Sequence, residues 1–124
     1  MSEIININEQ DRNKNTALMY AVYYGKTEMV KMFIGAGANV NIQNCRGDTA
    51  LICACAGGIN FIGQILIDNN ADVNIQRNDG YTALHNACEN EMTEVSLELL
   101  EREGIDVNIQ DNNGDTALYI ACYY

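Results

Sequence analysis

Proline and tryptophan are missing from this chain of 124 residues, and basic side chains are scarce. Without proline, no helix can open on proline's fixed φ. Seven Lys and Arg against 17 Asp and Glu leave a net charge of −10. That argues against nucleic acid as the ligand, since phosphate binding needs a surplus of cations. No apolar run approaches the roughly 18 residues of a membrane span. The start, Met1-Ser2-Glu3-Ile4-Ile5-Asn6, has no basic region followed by an apolar one, so it does not read as a secretion signal. There is no Asn-x-Ser/Thr sequon, and the five cysteines are odd in number and lack paired spacing. These absences point to a reducing, cytoplasmic setting.

What the chain does have is apolar content, 48% of its residues, enough for one core and more than a disordered tail carries. Its charge is uneven. Residues 1–60 are balanced, whereas residues 61–124 hold twelve of the 17 acids and only Arg77 and Arg102 as bases. An acidic second half reads either as a solvated face or as a surface that steers a basic partner.

Internal repetition is the strongest pattern. Thr-Ala-Leu occurs at Thr16, Thr49, Thr82 and Thr116, at intervals of 33, 33 and 34, and an Ala follows each Thr by five (Ala21, Ala54, Ala87, Ala121). Val-Asn-Ile-Gln recurs at Val40, Val73 and Val107, with a degenerate copy, Ile7-Asn8-Glu9-Gln10, before the first Thr. The register divides the chain into the end of a leading repeat (1–10), repeats at 11–43, 44–76 and 77–110, and a partial fourth at 111–124.

Each period reads as two short helices and a connector. Thr is a good N-cap, and Leu18, Ala21 and Val22 share one helical face at i, i+3 and i+4. Gly25 breaks the first helix. A second apolar segment follows, from Met29 to Ile34, where Met29, Phe33 and Ile34 are expected to pack toward the next repeat. Gly37 and Gly104 stop two of these second helices, and Asn44-Cys45-Arg46-Gly47 and its counterparts are turn sequences. Neither helix is long enough to stand alone in water, so burial must come from stacking repeat on repeat. The fold class expected is all-α: a solenoid of helix pairs with projecting hairpin-like loops, three full repeats and a partial fourth.

Gly80-Tyr81-Thr82-Ala83-Leu84-His85-Asn86-Ala87 and Gly37-Ala38-Asn39-Val40-Asn41 resemble the two signature motifs of the ankyrin repeat family, and the likeness recurs in register over nearly the whole chain. The resemblance implies a stack of antiparallel helix pairs that binds proteins. The family's proline is Ala17, Ala50, Ala83 and Ala117 here. Its histidine, which in the family bonds the Thr and the neighbouring loop, survives only as His85, so the other loops are expected to be held less firmly. One extra residue in the third repeat is placed in Glu101–Gly104 as a local bulge.

Candidate chemistry has structural explanations instead. Gly25-Lys26-Thr27 looks like the end of a phosphate loop, but Tyr20 stands where that motif needs its first Gly. His85 and Cys88 lack a third group to orient the imidazole. Cys53 and Cys55, two apart on a helix, cannot meet one metal. Cys55, Cys88 and Cys122 share one repeat position and read as buried thiols, while Cys45 on a tip reads as exposed. The expectation is no enzyme, no cofactor and no metal site.

Function must then come from surface. Carried over by repeat position, the resemblance implies a concave groove made by the loop tips and the first helices. The tip residues are Arg12, Asn13 and Asn15, Arg46 and Asp48, Asp79 and Tyr81, Asn112 and Asp115. The helix residues, seven and eight after each Thr, are Tyr23 and Tyr24, Ala56 and Gly57, Glu89 and Asn90, and Tyr123 and Tyr124, with Tyr119 close by. Tyrosine gives contact area at low entropic cost, and with the tip aspartates it suits a basic protein or peptide segment whose Arg or Lys stacks on Tyr. Neither nucleic acid nor membrane is expected as partner. The chain stops within or just after a first helix, leaving Leu118 and Cys122 without evident cover. That fits a homodimer through the C-terminal end, or a regulatory module of a larger multidomain protein. A further reading makes the chain a substrate: Leu66 with Asp72-Val73-Asn74, and Leu100 with Asp106-Val107-Asn108, resemble sites of asparaginyl hydroxylases.

Overall fold

The computed structural model describes residues 6–123, which contain seven helices and no strands. They are α1 (Ala17–Tyr23), α2 (Thr27–Gly35), α3 (Ala50–Ala56), α4 (Asn60–Asp68), α5 (Ala83–Glu89), α6 (Thr93–Glu101) and α7 (Ala117–Tyr123). Each odd helix packs on the even helix that follows it, α1 on α2, α3 on α4 and α5 on α6. The odd helices also pack on one another in order from α1 to α7, and the even ones from α2 to α6. The result is two layers of parallel-stacked helices.

The repeating threonines start the odd helices. Thr16, Thr49, Thr82 and Thr116 each accept from the backbone N–H three residues on, at 3.2 to 3.3 Å. The leucine two after each Thr points into the stack: Leu18, Leu51 and Leu84 are at most 2% exposed. In the last repeat Leu118 is 48% exposed, since no described element packs beyond α7. The alanines five after Thr, Ala54 and Ala87, are fully buried and let neighbouring first helices approach closely.

The Asn-Ile-Gln blocks prove to be stacking devices. Gln10, Gln43 and Gln76 each donate twice from Nε2. One bond goes to a carbonyl four residues on (2.8 to 3.0 Å), the other to the carbonyl of the Gln one repeat later (3.1 to 3.2 Å). Asn8, Asn41 and Asn74 each accept from a backbone N–H of the following repeat at 2.7 to 2.8 Å. Tip joins tip as well: the N–H groups of Cys45, Asn78 and Asn112 donate to the carbonyls of Asn13, Arg46 and Asp79 at 3.0, 2.9 and 3.0 Å.

His85 does what the resemblance implies. Its Nδ1 lies 2.8 Å from the Thr82 hydroxyl and its Nε2 2.9 Å from the Asp115 carbonyl. The inter-tip bonds are equally short with or without a histidine, and His85 adds its side-chain tie to the Asp115 carbonyl on top of one of them. Met19 and Ile52, in the histidine's place, are 1% exposed and fill the site with apolar volume.

Two further expectations need correcting. Met29 and Phe33, at i and i+4 of α2, do not face the next repeat; with Ala17, Tyr20 and Ala21 they line a shallow apolar depression of about 350 Å³ at the leading end. Val30, fully buried, takes the inward side. Of the three equivalent cysteines only Cys55 is buried; Cys88 is half-buried and Cys122 exposed. Each position is covered by the repeat that follows, and the cover thins toward the end of the described chain. Cys45 is exposed on its tip.

The extra residue of the third repeat sits just after α6. Arg102 leaves the helix in an extended conformation, and its guanidinium reaches back to the Ile67 carbonyl (2.5 Å) and the Asn70 side chain (3.3 Å). The insertion thereby adds a second donor to a carbonyl at the end of the preceding repeat's α4, which already accepts from the Asn70 N–H at 3.1 Å.

Candidate functional site

Tip and first-helix end meet on one face. Tyr81, on the third tip, donates to the Glu89 carboxylate at 2.6 Å, seven residues beyond Thr82 at the end of α5. Tyr23, at the end of α1, receives the Arg46 Nη2 at 2.7 Å and the Asn44 amide at 3.3 Å from the second tip. Of the candidate residues, Tyr23, Arg46, Asp48 and Asp79 are brought together around one cleft. Arg12, Asn13, Tyr24 and Asn112 are exposed along the same tips and helix ends.

The cleft exists because the repeats differ at two positions. Seven and eight after the Thr, the first repeat carries Tyr23 and Tyr24, the third Glu89 and Asn90, but the second only Ala56 and Gly57. The missing side chains open a notch of about 530 Å³, lined by Tyr23, Arg46, Asp48, Cys53, Ala56, Gly57, Arg77, Asn78 and Asp79.

Charge in the notch is organised in pairs. Arg77 binds Asp79 through two parallel bonds of 2.8 and 2.9 Å. That contact is the main reason the Asp79 carboxyl is held below its ordinary range. Arg46 approaches the Asp48 Oδ2 at 3.4 Å. Asp48 itself is only 6% exposed, and burial pushes its carboxyl up despite Arg77 and Arg46 nearby. Burial also raises Tyr23 to about 12 and the Cys53 thiol to about 11. No nucleophile is activated here; a thiol so shifted stays protonated at neutral pH.

The arginines change the reading of the tyrosines. The Arg46 guanidinium lies 6.0 Å from the Tyr23 ring centroid, and that of Arg77 4.9 Å from Tyr81. The cation expected on these rings from a partner is supplied by the chain itself. Tyr24, 73% exposed, offers an outward surface. Tyr119 takes the position of buried Met19, Ile52 and His85, at the trailing end beside the groove. Its ring stacks on Tyr123 at 5.7 Å and 19°. Tyr124 lies outside the described residues. Tyr20 faces the leading end and donates to Asp11.

Other candidates hold the stack. The Asn15 Oδ1 accepts from Asn44 at 2.9 Å, and the Asp115 carbonyl meets His85. Asn90 donates to the Cys55 and Ala56 carbonyls at 2.7 and 3.2 Å, capping α3 from the next repeat. Asn74, in one of the two candidate hydroxylation motifs, donates to the Gly104 carbonyl and accepts from Asp106, bridging two repeats.

Arg77 is a residue of the notch that the sequence pattern alone does not single out. Its repeat position holds Asp11, Asn44 and Asp111 elsewhere, and in those three the side chain accepts from two backbone N–H groups of its own turn. Arginine has no acceptor to do this, and Asp79 takes over one of the bonds, to Tyr81 N–H. That departure from Asp and Asn was the readable signal.

The acidic surplus lies partly elsewhere. Glu98, raised by partial burial and by Asp68 and Glu101, belongs to the even-helix layer. No group of three His, Cys, Asp or Glu among the described residues is placed to hold a metal ion, and none of their helices is long and apolar enough to cross a membrane.

No curated protein matches this chain. A family model described as ankyrin repeats (3 copies) matches residues 1–77 and again residues 58–124. Ankyrin repeats are generally protein–protein interaction modules and typically non-catalytic. Together with the paired helix layers and the histidine-bridged loop, the match makes this chain a member of the ankyrin repeat family.

Proposed function

We propose that the chain is a non-catalytic binding module of the cytoplasm that takes a protein or peptide segment of basic character in the groove of tips and first-helix ends. The observation that carries this is the exposure of Tyr24 and Tyr123, 73% and 69%, at equivalent ends of α1 and α7. Between them lies the notch of the second repeat, where Arg77 is paired with Asp79 and Arg46 with the Tyr23 hydroxyl. Large rings held outward at both ends of a groove serve contact, not the core.

The test is capture of partners by the intact chain against a Tyr24→Ala, Tyr123→Ala variant. The variant is expected to lose bound protein while keeping its helical content, and binding to the intact chain is expected to weaken with added salt. Equal capture by both proteins would count against the groove.

A second reading is association through the trailing end, a homodimer, favoured by Leu97 and Leu118 at 54% and 48% exposure. A mass that stays that of one chain in light scattering at high concentration would refute it.

A further inference from the structure

Asp48 occupies a position where a buried carboxylate has more capacity than its surroundings use. Its Oδ2 has Arg46 at 3.4 Å. Its Oδ1 is buried and has no hydrogen-bond partner among the described residues. A buried polar atom left unpaired is rare in native structures and costs on the order of 1–3 kcal/mol. The other carboxylate of the notch is taken, since Arg77 holds Asp79 through both oxygens. The Asp48 backbone is satisfied too, its N–H donating to the Asn44 Oδ1 at 3.0 Å. One acceptor is therefore left over, on a residue that lines a notch of about 530 Å³.

The walls define what would fit. Ala56 and Gly57 make a floor without side-chain bulk, and Tyr23 stands beside it as an aromatic wall. An aliphatic stem can lie along such a floor while its polar head reaches the carboxylate. Arg46 does not fill the role: its side chain is 66% exposed and its Nη2 is committed to the Tyr23 hydroxyl. An anionic ligand is disfavoured, because both guanidiniums already face carboxylates and the unpaired atom is an acceptor, which calls for a donor.

We infer that the notch of the second repeat is a pocket for one basic side chain, lysine or arginine, of a bound protein segment, with the Asp48 Oδ1 as its acceptor. This rests on the groove reading above and gives it an anchor point. Neighbouring tips then contact the rest of the segment, and a single cation sets its register, as one buried charge pair often does at an interface.

The experiment is amide chemical-shift mapping of the whole chain with three capped tripeptide amides, Gly-Arg-Gly, Gly-Lys-Gly and Gly-Gln-Gly. The arginine or lysine peptide is expected to shift Asp48, Ala56, Gly57 and Asn78, and the glutamine peptide to leave them still. Whichever basic peptide binds more tightly identifies the side chain. Asp48→Asn keeps the backbone bond to Asn44 and is expected to weaken binding at least tenfold. Ala56→Leu fills the floor without touching the carboxylate; it is expected to do the same, and it serves if Asp48→Asn does not fold. Shifts scattered over the acid-rich residues 61–124, or affinities within twofold in both variants, would overturn the pocket. Partner capture lost on changing Tyr24 and Tyr123 but unaffected by Asp48→Asn would overturn the pocket alone and leave the groove standing.

Discussion

The Arg46 guanidinium donates to the Tyr23 hydroxyl at 2.7 Å, tying a loop tip of one repeat to the first helix of the repeat before it. The contact sets one wall of the notch and joins residues 23 positions apart. Tyr23→Phe and Arg46→Met in a double-mutant cycle should show a coupling of about 0.5–1 kcal/mol, the range for a partly exposed hydrogen bond to a charged group over an aromatic ring. Urea unfolding measures it. Strict additivity would mean that the bond does not form in solution.

The tips interlock so closely that Gly47 and Gly80 leave no room for a Cβ against the next tip. Gly80 has φ +88°, and a Cβ there would lie 2.7 Å from the Asp111 Cα and the Asn112 N. Gly114 has φ +83° but nothing within 4 Å. Both substitutions to alanine carry the backbone cost of a left-handed residue, about 1–2 kcal/mol. Only Gly80→Ala adds a steric clash with the next tip. Gly80→Ala should therefore be the more destabilising in denaturant titration, and equal losses would show that the tips do not touch as described.

Much of this was legible in the sequence, and the reasons differ by residue. The N-capping threonines, the His85 bridge and the position of the inserted residue follow from local chemistry or from register. The notch was hidden because it comes from what Ala56 and Gly57 lack, and small residues announce no function. Arg77 gives little signal because it stands at a turn position, where the surrounding sequence says only that the chain turns. For Met29 and Phe33 the expectation fails because apolar character in α2 says that a face is greasy, not which neighbour covers it.

Thiol chemistry reads out burial directly. Cys55 is pushed up to about 12 and Cys53 to about 11, in each case chiefly by burial, whereas Cys45 and Cys122 are exposed. Labelling with a small alkylating reagent at pH 8 should modify Cys45 and Cys122 quickly and leave Cys53 and Cys55 intact until the chain unfolds. Early modification of Cys55 would contradict the stacked core.

Asp48 also makes a prediction about pH. Burial raises its carboxyl in the folded state, so the folded chain keeps this proton to higher pH than the unfolded chain, which releases it near 3.9. Through that window the folded form binds more protons, so this residue's contribution lowers stability as pH rises, and the deficit persists above it. Asp48→Asn removes the titration. The variant should match the parent near pH 3 and melt at a higher temperature at pH 7. A variant less stable than the parent at pH 7 would show that the ionised carboxylate is well accommodated.

His85 ties Thr82 to the following loop from a site 1% exposed. His85→Ile imitates Ile52, buried to the same degree in the repeat before, yet leaves the Asp115 carbonyl without this donor. The expected loss is about 1–2 kcal/mol, that of one unmade buried hydrogen bond. It should appear together with faster amide exchange in 111–115, and unchanged exchange there would separate the histidine from the loop.

The claim that the working surface is the face of tips and first-helix ends can be tested by where a partner touches. A photo-crosslinking amino acid is placed either at Tyr24, on that face, or at Met32, 59% exposed on the even-helix layer. Irradiation in cells should give discrete protein adducts from position 24 and none of the same mass from position 32. Adducts formed only from position 32 would place the partner on the opposite layer and contradict the account.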